Sequence, residues 1–247
     1  MTTVEEGKNY QEQEPQAGIS FIITDVDGVL VDTMAKYDDI LSMPFPDPRD
    51  RAYFKNSMGD PTLKQIYAIE DYKFPRFRHE TGILPSDGDS LQAEVAAQID
   101  WMLAKAKGKP FPEVRGILQV LKNQKYKISA SSAHPRERIE RILKEGSLDQ
   151  FFDFTVGKDA EHPTKGESHF RAIANHYRVP YEKFIRQAIF IDDGPRNIEL
   201  SAATGVLTIG RSGTVSQEKL LQAGANFVVD NLSQLPELIA YINSLPH

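Results

Sequence analysis

Phe21-Ile22-Ile23-Thr24-Asp25-Val26-Asp27-Gly28-Val29 is the stretch whose reading decides the fold. Four strand-favouring residues run without a charge into an acid–apolar–acid–glycine turn. Such a continuous run suits a strand buried on both faces, as in a parallel sheet. Similar short runs recur at 126–131, 154–157, 188–192, 206–209 and 226–229, each bounded by Gly, Pro, Ser or charged residues. Helical stripes lie between them. Val114, Ile117, Leu118 and Leu121 share one face, and Ile139, Ile142 and Leu143 share another after Pro135. Phe170, Ile173, Ala174 and Tyr177 form a third stripe; Ile198, Leu200 and Ala203 form a fourth, ahead of Gly205 as a helix stop. Strands alternating with helices predict an α/β fold with a parallel sheet covered on both faces.

One segment breaks the alternation. From Thr33 to about Lys109 no strand run occurs. Ile66 and Ile69, then Leu91, Val95, Ile99, Met102 and Leu103, recur at helical spacing among several prolines. An all-helical insertion directly after the first strand is the simplest reading. Residues 1–18 are polar, without periodicity, and read as a flexible leader. The 247-residue chain is 40% hydrophobic and 26% charged, an ordinary globular balance. Its 29 basic against 35 acidic residues leave a net charge of −6, which gives no general electrostatic reason to bind nucleic acid or an anionic membrane. The absence of Cys excludes disulfide scaffolds, Cys-ligated zinc and thiol catalysis. No stretch approaches the roughly 18 apolar residues of a membrane span, and no secretory signal is visible. A soluble, cytoplasmic protein is expected.

In open α/β sheets the loops at the carboxyl ends of the strands build the site. Those ends carry a consistent set: Asp25-Val26-Asp27-Gly28, Ser131-Ser132, Lys165 in the loop after the third strand, and Asp192-Asp193-Gly194. Clustered carboxylates raise one another's pKa unless a cation is present. A hard divalent cation with oxygen ligands, Mg²⁺ above all, resolves that repulsion and draws in phosphate. Lys165 and Ser131 would hold phosphoryl oxygens, and Gly28 would let the backbone approach so that amides after Asp25 can donate. A carboxylate in line with phosphorus is a nucleophile able to form an aspartyl-phosphate. Asp27, two residues on, would protonate the leaving oxygen and later activate water.

These motifs, in this order and spacing, resemble the haloacid dehalogenase-like superfamily, over roughly residues 19–240. The resemblance implies a Rossmann-like core of residues 19–33 and 109–247 with a helical cap at 34–108, as in the phosphoglycolate phosphatase and β-phosphoglucomutase branch. It implies Asp25 as nucleophile and metal ligand, and Asp27 as general acid/base with its carbonyl on the metal. Ser131 and Lys165 would bind the phosphoryl group, with Gly28 and Ser132 beside it. Asp193 would bind the metal, with Asp192 as a second acid and Asn197 in support. Relatives that cleave carbon–halogen bonds lack an acid at the position of Asp27, so an Asp there points to phosphate esters. Two positions depart from the family pattern: Gly166 replaces the usual Pro after the lysine, and Gly194 replaces the frequent Ser after the acids.

The function implied is a Mg²⁺-dependent phosphatase acting on a small phosphorylated metabolite through an aspartyl-phosphate. A sugar phosphomutase of the β-phosphoglucomutase type shares every core residue, and a catalytically silent phospho-ligand module shares the fold. The blander readings stand beside these. Lys158 competes with Lys165 for the motif-three role, and burial decides between them. His134 reads as a loop or helix-entry histidine. Lys55, Lys64, Arg76 and Arg78 read as a solvated cap face. Substrate identity and oligomeric state are not written in the sequence.

Overall fold

Phe21–Thr24 forms β1, with all four residues buried. Its neighbours explain why no polar residue interrupts it. β1 pairs in parallel with β4 (Lys127–Ser131) on one side and with β6 (Ala188–Asp192) on the other. In this computed structural model, residues 18–32, 41–42, 45, 47–49, 51 and 108–245 are described. Among them the chain runs β1, β2 (Val31–Asp32), β3 (Lys109–Pro110), α1 (Val114–Asn123), β4, α2 (Arg136–Glu145), β5 (Phe154–Val156), α3 (Glu167–Tyr177) and α4 (Tyr181–Arg186). It continues through β6, α5 (Pro195–Ala202), β7 (Leu207–Arg211), α6 (Gln217–Gln222), β8 (Phe227–Val229) and α7 (Leu235–Ser244).

The six parallel strands take the order β5-β4-β1-β6-β7-β8. The order reverses direction at β1, the switch point where open α/β sheets place their crevice. Every strand run expected from the sequence is found. The short β2–β3 pair is antiparallel and was not expected from either segment's composition. It joins the chain leaving the core at Asp32 to the chain returning at Lys109.

The alternation of side chains across the pleat sorts the core into two layers. Ile22, Ile128, Ala130, Ile189 and Ile191 pack with Val114, Leu118 and Leu121 of α1, Ile139 and Leu143 of α2, and Ile239 of α7. Phe21, Ile23, Ala188 and Phe190 face the other way, onto Phe170, Ile173 and Ala174 of α3 and Phe184 and Ile185 of α4. Both faces are thus covered, and each fully buried Ile or Phe contributes roughly 1.5–3 kcal/mol. Among the described residues no helix is long and apolar enough to cross a membrane. The expected leader at 1–18 lies outside the described residues except for Gly18. The expected helical cap at 34–108 also lies outside them, apart from a few positions between 41 and 51 and Gly108.

Candidate active site

The strand register assembles the first three residues. Thr24 pairs with Ala130 on one side and Ile191 on the other. Asp25, Ser131 and Asp192, each one residue further along, therefore occupy one row at the carboxyl end of three adjacent strands. Their parity along the pleat matches Ile23, Ser129 and Phe190, so they face the α3 side. That is where the segment leading into α3 delivers Lys165.

Lys165 is the centre of the cluster. Its Nζ lies 2.8 Å from Asp25 Oδ1 and 2.7 Å from Asp192 Oδ2, and all three side chains are buried. Burial works against the lysine's charge, but Asp192 and Asp25 more than restore it, so its pKa is raised above the ordinary lysine value. Lys158, by contrast, is exposed. Lys165 is followed by Gly166 with φ at +92°, a conformation closed to the proline that the family pattern places there.

Asp192 is saturated by protein donors. Besides Lys165 at Oδ2, its Oδ1 accepts from Gly194 N at 2.7 Å and from Asn197 Nδ2 at 3.1 Å. Asp193 is different: its Oδ2 is buried without a hydrogen-bond partner among the described residues. Burial first, and then Asp192, push the Asp193 carboxyl up to about 7, against a hydrogen bond from Thr214. Asp25 is also raised well above the usual carboxylate range, chiefly by burial, with Lys165 pulling it down and three neighbouring acids pushing it up.

Gly28 sits where Asp193 needs room. Its φ is +74°, and an added Cβ would fall on the Asp193 carboxylate. Its own polar groups are spent within the protein: the N–H donates to Val31 O at 2.9 Å, and the carbonyl accepts from Arg211 Nη1 at 2.7 Å. The amides of Val26 and Asp27, by contrast, donate to no backbone carbonyl among the described residues. Asp27 is buried, its Oδ1 has no hydrogen-bond partner among the described residues, and its Oδ2 lies 3.6 Å from His134 Nε2. Ser132 is buried, its N–H donating to Val156 O and its hydroxyl accepting from His134 N.

Two contributors carried no sequence signal. His169 is wholly buried, and its Nδ1 lies 2.9 Å from Ser131 Oγ. It stands beside the apolar stripe of α3 rather than in it, so periodicity passed over it. Burial pushes its pKa down to about 4, leaving the imidazole neutral. Arg211, at the end of β7, holds the Gly28 carbonyl, lies 3.6 Å above the Phe111 ring and meets Glu113 at 3.4 Å. It ties the loop after β1 to the chain just beyond β3.

The acids form a fit for a hard cation. Ligand oxygens of Asp25, Asp192 and Asp193 lie within 4.8 Å of one another, all buried. Among the described residues, Lys165 bridges Asp25 and Asp192, while Asp193 Oδ2 lacks the donor that buried polar atoms normally have. An all-oxygen donor set with surplus negative charge matches Mg²⁺.

The model of the family described as haloacid dehalogenase-like hydrolase matches residues 22–210, more than half of the chain. The chain belongs to the haloacid dehalogenase-like hydrolases. Solved structures of such folds superpose on it at low identity. A haloacid dehalogenase-like family hydrolase from Streptococcus pneumoniae gives a TM-score of 0.67 at 20% identity, covering 90% of this chain and 98% of that one. A protein from Lactobacillus delbrueckii subsp. bulgaricus assigned as a phosphoglycolate phosphatase gives 0.70 at 20% identity, covering 90% and 99%. A β-phosphoglucomutase from Clostridium difficile gives 0.61 at 19% identity, covering 91% and 97%. At these identities the superpositions establish the shared fold. No curated protein matches the chain in sequence.

Proposed function

We propose that this haloacid dehalogenase-like hydrolase is a Mg²⁺-dependent phosphatase that hydrolyses a small phosphorylated metabolite through an aspartyl-phosphate on Asp25. The observation that carries the reading is the buried Lys165 ammonium bridging Asp25 and Asp192 at 2.8 and 2.7 Å. A buried ion pair is a poor stabiliser, because desolvation offsets much of the attraction. A lysine held this way at the strand ends, with an unpartnered acid beside it, is better explained by chemistry.

Asp25 and Asp193, with Asp27, would hold the cation. Asp192, its oxygens already engaged, anchors Lys165 and the turn at Gly194. Bound there, Mg²⁺ supplies neutralising charge for the phosphoryl oxygens and keeps Asp25 ionised. Lys165 adds positive charge to the same oxygens, the amides of Val26 and Asp27 donate to them, and Ser131, its hydroxyl held by His169 Nδ1, lines them. Asp25 attacks phosphorus while the ester P–O bond breaks and Asp27 gives its proton to the leaving oxygen. Asp27 then takes a proton from water, whose oxygen attacks phosphorus and releases Asp25. Residues 34–108 would form the helical cap that covers this site and selects the substrate.

A panel of phosphomonoesters tests the reading. Phosphate release that requires Mg²⁺ and vanishes in Asp25→Asn is expected. Isomerised sugar phosphate instead of free phosphate would make the protein a mutase. Tight binding without turnover would make it a sensor.

A further inference from the structure

The histidine after the serine pair has a partner whose hydrogen-bonding capacity is one-sided. Arg138, one turn further along at the start of α2, places Nη1 3.0 Å from His134 Nδ1. A guanidinium donates and never accepts. His134 Nδ1 must therefore carry the lone pair, and the ring's single proton must be on Nε2. A charged imidazole would set two N–H groups against each other at Nδ1, so Arg138 also keeps the ring neutral. Nε2 is the atom that approaches Asp27 Oδ2, at 3.6 Å. The polarity of the chain is thus forced: Arg138 donates to His134, and the ring's one N–H is on the nitrogen that lies 3.6 Å from Asp27.

The backbone around His134 is pinned on both sides. Its N–H donates to Ser132 Oγ at 3.3 Å, and its carbonyl accepts from Lys158 N at 2.9 Å. The separation of 3.6 Å is one step longer than a hydrogen bond. Catalytic hydrogen bonds are often long before substrate arrives and tighten in the loaded site.

We propose that His134, oriented by Arg138, is a positioning residue for Asp27. A donor on Oδ2 occupies that oxygen and fixes the plane of the carboxyl group. The transferable proton is then confined to Oδ1, which is buried without a hydrogen-bond partner among the described residues. In the first step Asp25 bonds to phosphorus, the ester P–O bond breaks, and the Oδ1 proton moves to the leaving oxygen. In the second, water returns that proton to Oδ1. The inference rests on Asp27 serving as the general acid of the proposed hydrolase.

The test is a leaving-group comparison. An aryl phosphate expels a stable phenolate and depends little on protonation; an alkyl phosphate depends on it heavily. Measured as kcat/KM, which runs from free enzyme through the first phosphoryl transfer and excludes breakdown of the intermediate, His134→Leu should lose about tenfold more on the alkyl ester than on the aryl ester. His134→Gln, whose side-chain amide can place an N–H near the position of Nε2, should recover most of that difference. In an Asp27→Asn background, His134→Leu should add no further bias. Equal losses on both esters would overturn the inference, marking a structural role. Weaker binding of inorganic phosphate by the same factor as the loss in kcat/KM would also overturn it, marking a substrate contact. Wild-type protein inactive on both esters would instead overturn the hydrolase reading, and this inference with it. Circular dichroism and melting of the Gln variant separate misfolding from loss of positioning.

Discussion

Ser129 and Ser131 lie two residues apart on β4, point the same way, and each meets a side chain of α3. Ser129 Oγ is 2.9 Å from Tyr177 OH, and Ser131 Oγ is 2.9 Å from His169 Nδ1. The surroundings of the two pairs differ. Around Ser129 the polar groups close on themselves: Tyr177 OH reaches Asp153, which also accepts from Lys122 and from Ile128 N. Around Ser131 the neighbouring strand ends carry Asp27 Oδ1 and Asp193 Oδ2, both without partners among the described residues. A closed network holds a sheet together, whereas buried oxygens with nothing to bind are a standing cost to stability. That cost is justified where a ligand completes the set. The middle and the carboxyl end of one strand thus differ in the completeness of their hydrogen bonding.

The largest effect should come from removing the cation at the active end. Lys165→Met leaves Asp25 and Asp192 buried without their shared partner. Activity should fall by about 10³-fold or more. Stability should fall by about 3–5 kcal/mol, as urea unfolding would register. Full activity in this variant would erase the distinction between the two serine environments.

The paired serines offer a sharper contrast. Ser131→Ala removes the hydroxyl proposed to line the phosphoryl group and should cost about 10²-fold in kcat/KM. Ser129→Ala should leave kinetics unchanged and cost about 1 kcal/mol in stability. If the two substitutions behave alike, the hydroxyls do not differ in role.

The smallest effect is one of stability and pH. The Asp193 carboxyl keeps its proton up to about pH 7, whereas an ordinary aspartate releases it near 3.8. The stability linked to that proton is full below 3.8 and is lost as pH rises through 7. A divalent cation takes the proton's place once the carboxylate ionises. Saturating Mg²⁺ should therefore stabilise the protein by about 2–4 kcal/mol at pH 8. It should do little at pH 5 and nothing in Asp193→Asn. Differential scanning calorimetry at the two pH values reads this directly.

Much of this was legible in the sequence because parallel strands buried on both faces leave uninterrupted apolar runs, and each run's end marks a strand end. The row of Asp25, Ser131 and Asp192 follows from that reading once the register is known. Spacing favoured Lys165 over Lys158, but only the folded chain shows the first buried and the second exposed. The β2–β3 pair was not legible, since two residues on each side are too few for a period to show. His169 and Arg211 escaped for another reason. Their roles come from what they touch across the sheet, and neither stands in a motif or on an apolar stripe. Nor does spacing reveal that Gly28 spends its own N–H and carbonyl internally, while the amides of Val26 and Asp27 meet no backbone carbonyl among the described residues.

The most direct test of the account is chemical trapping of Asp25. Enzyme turning over a phosphomonoester with Mg²⁺ is quenched in acid, reduced with borohydride and mapped by peptide mass. An aspartyl-phosphate at Asp25 is reduced to homoserine, and conversion at that residue alone, absent without substrate, is the predicted result. Steady phosphate release with Asp25 unmodified, or conversion at a different acid, would contradict it.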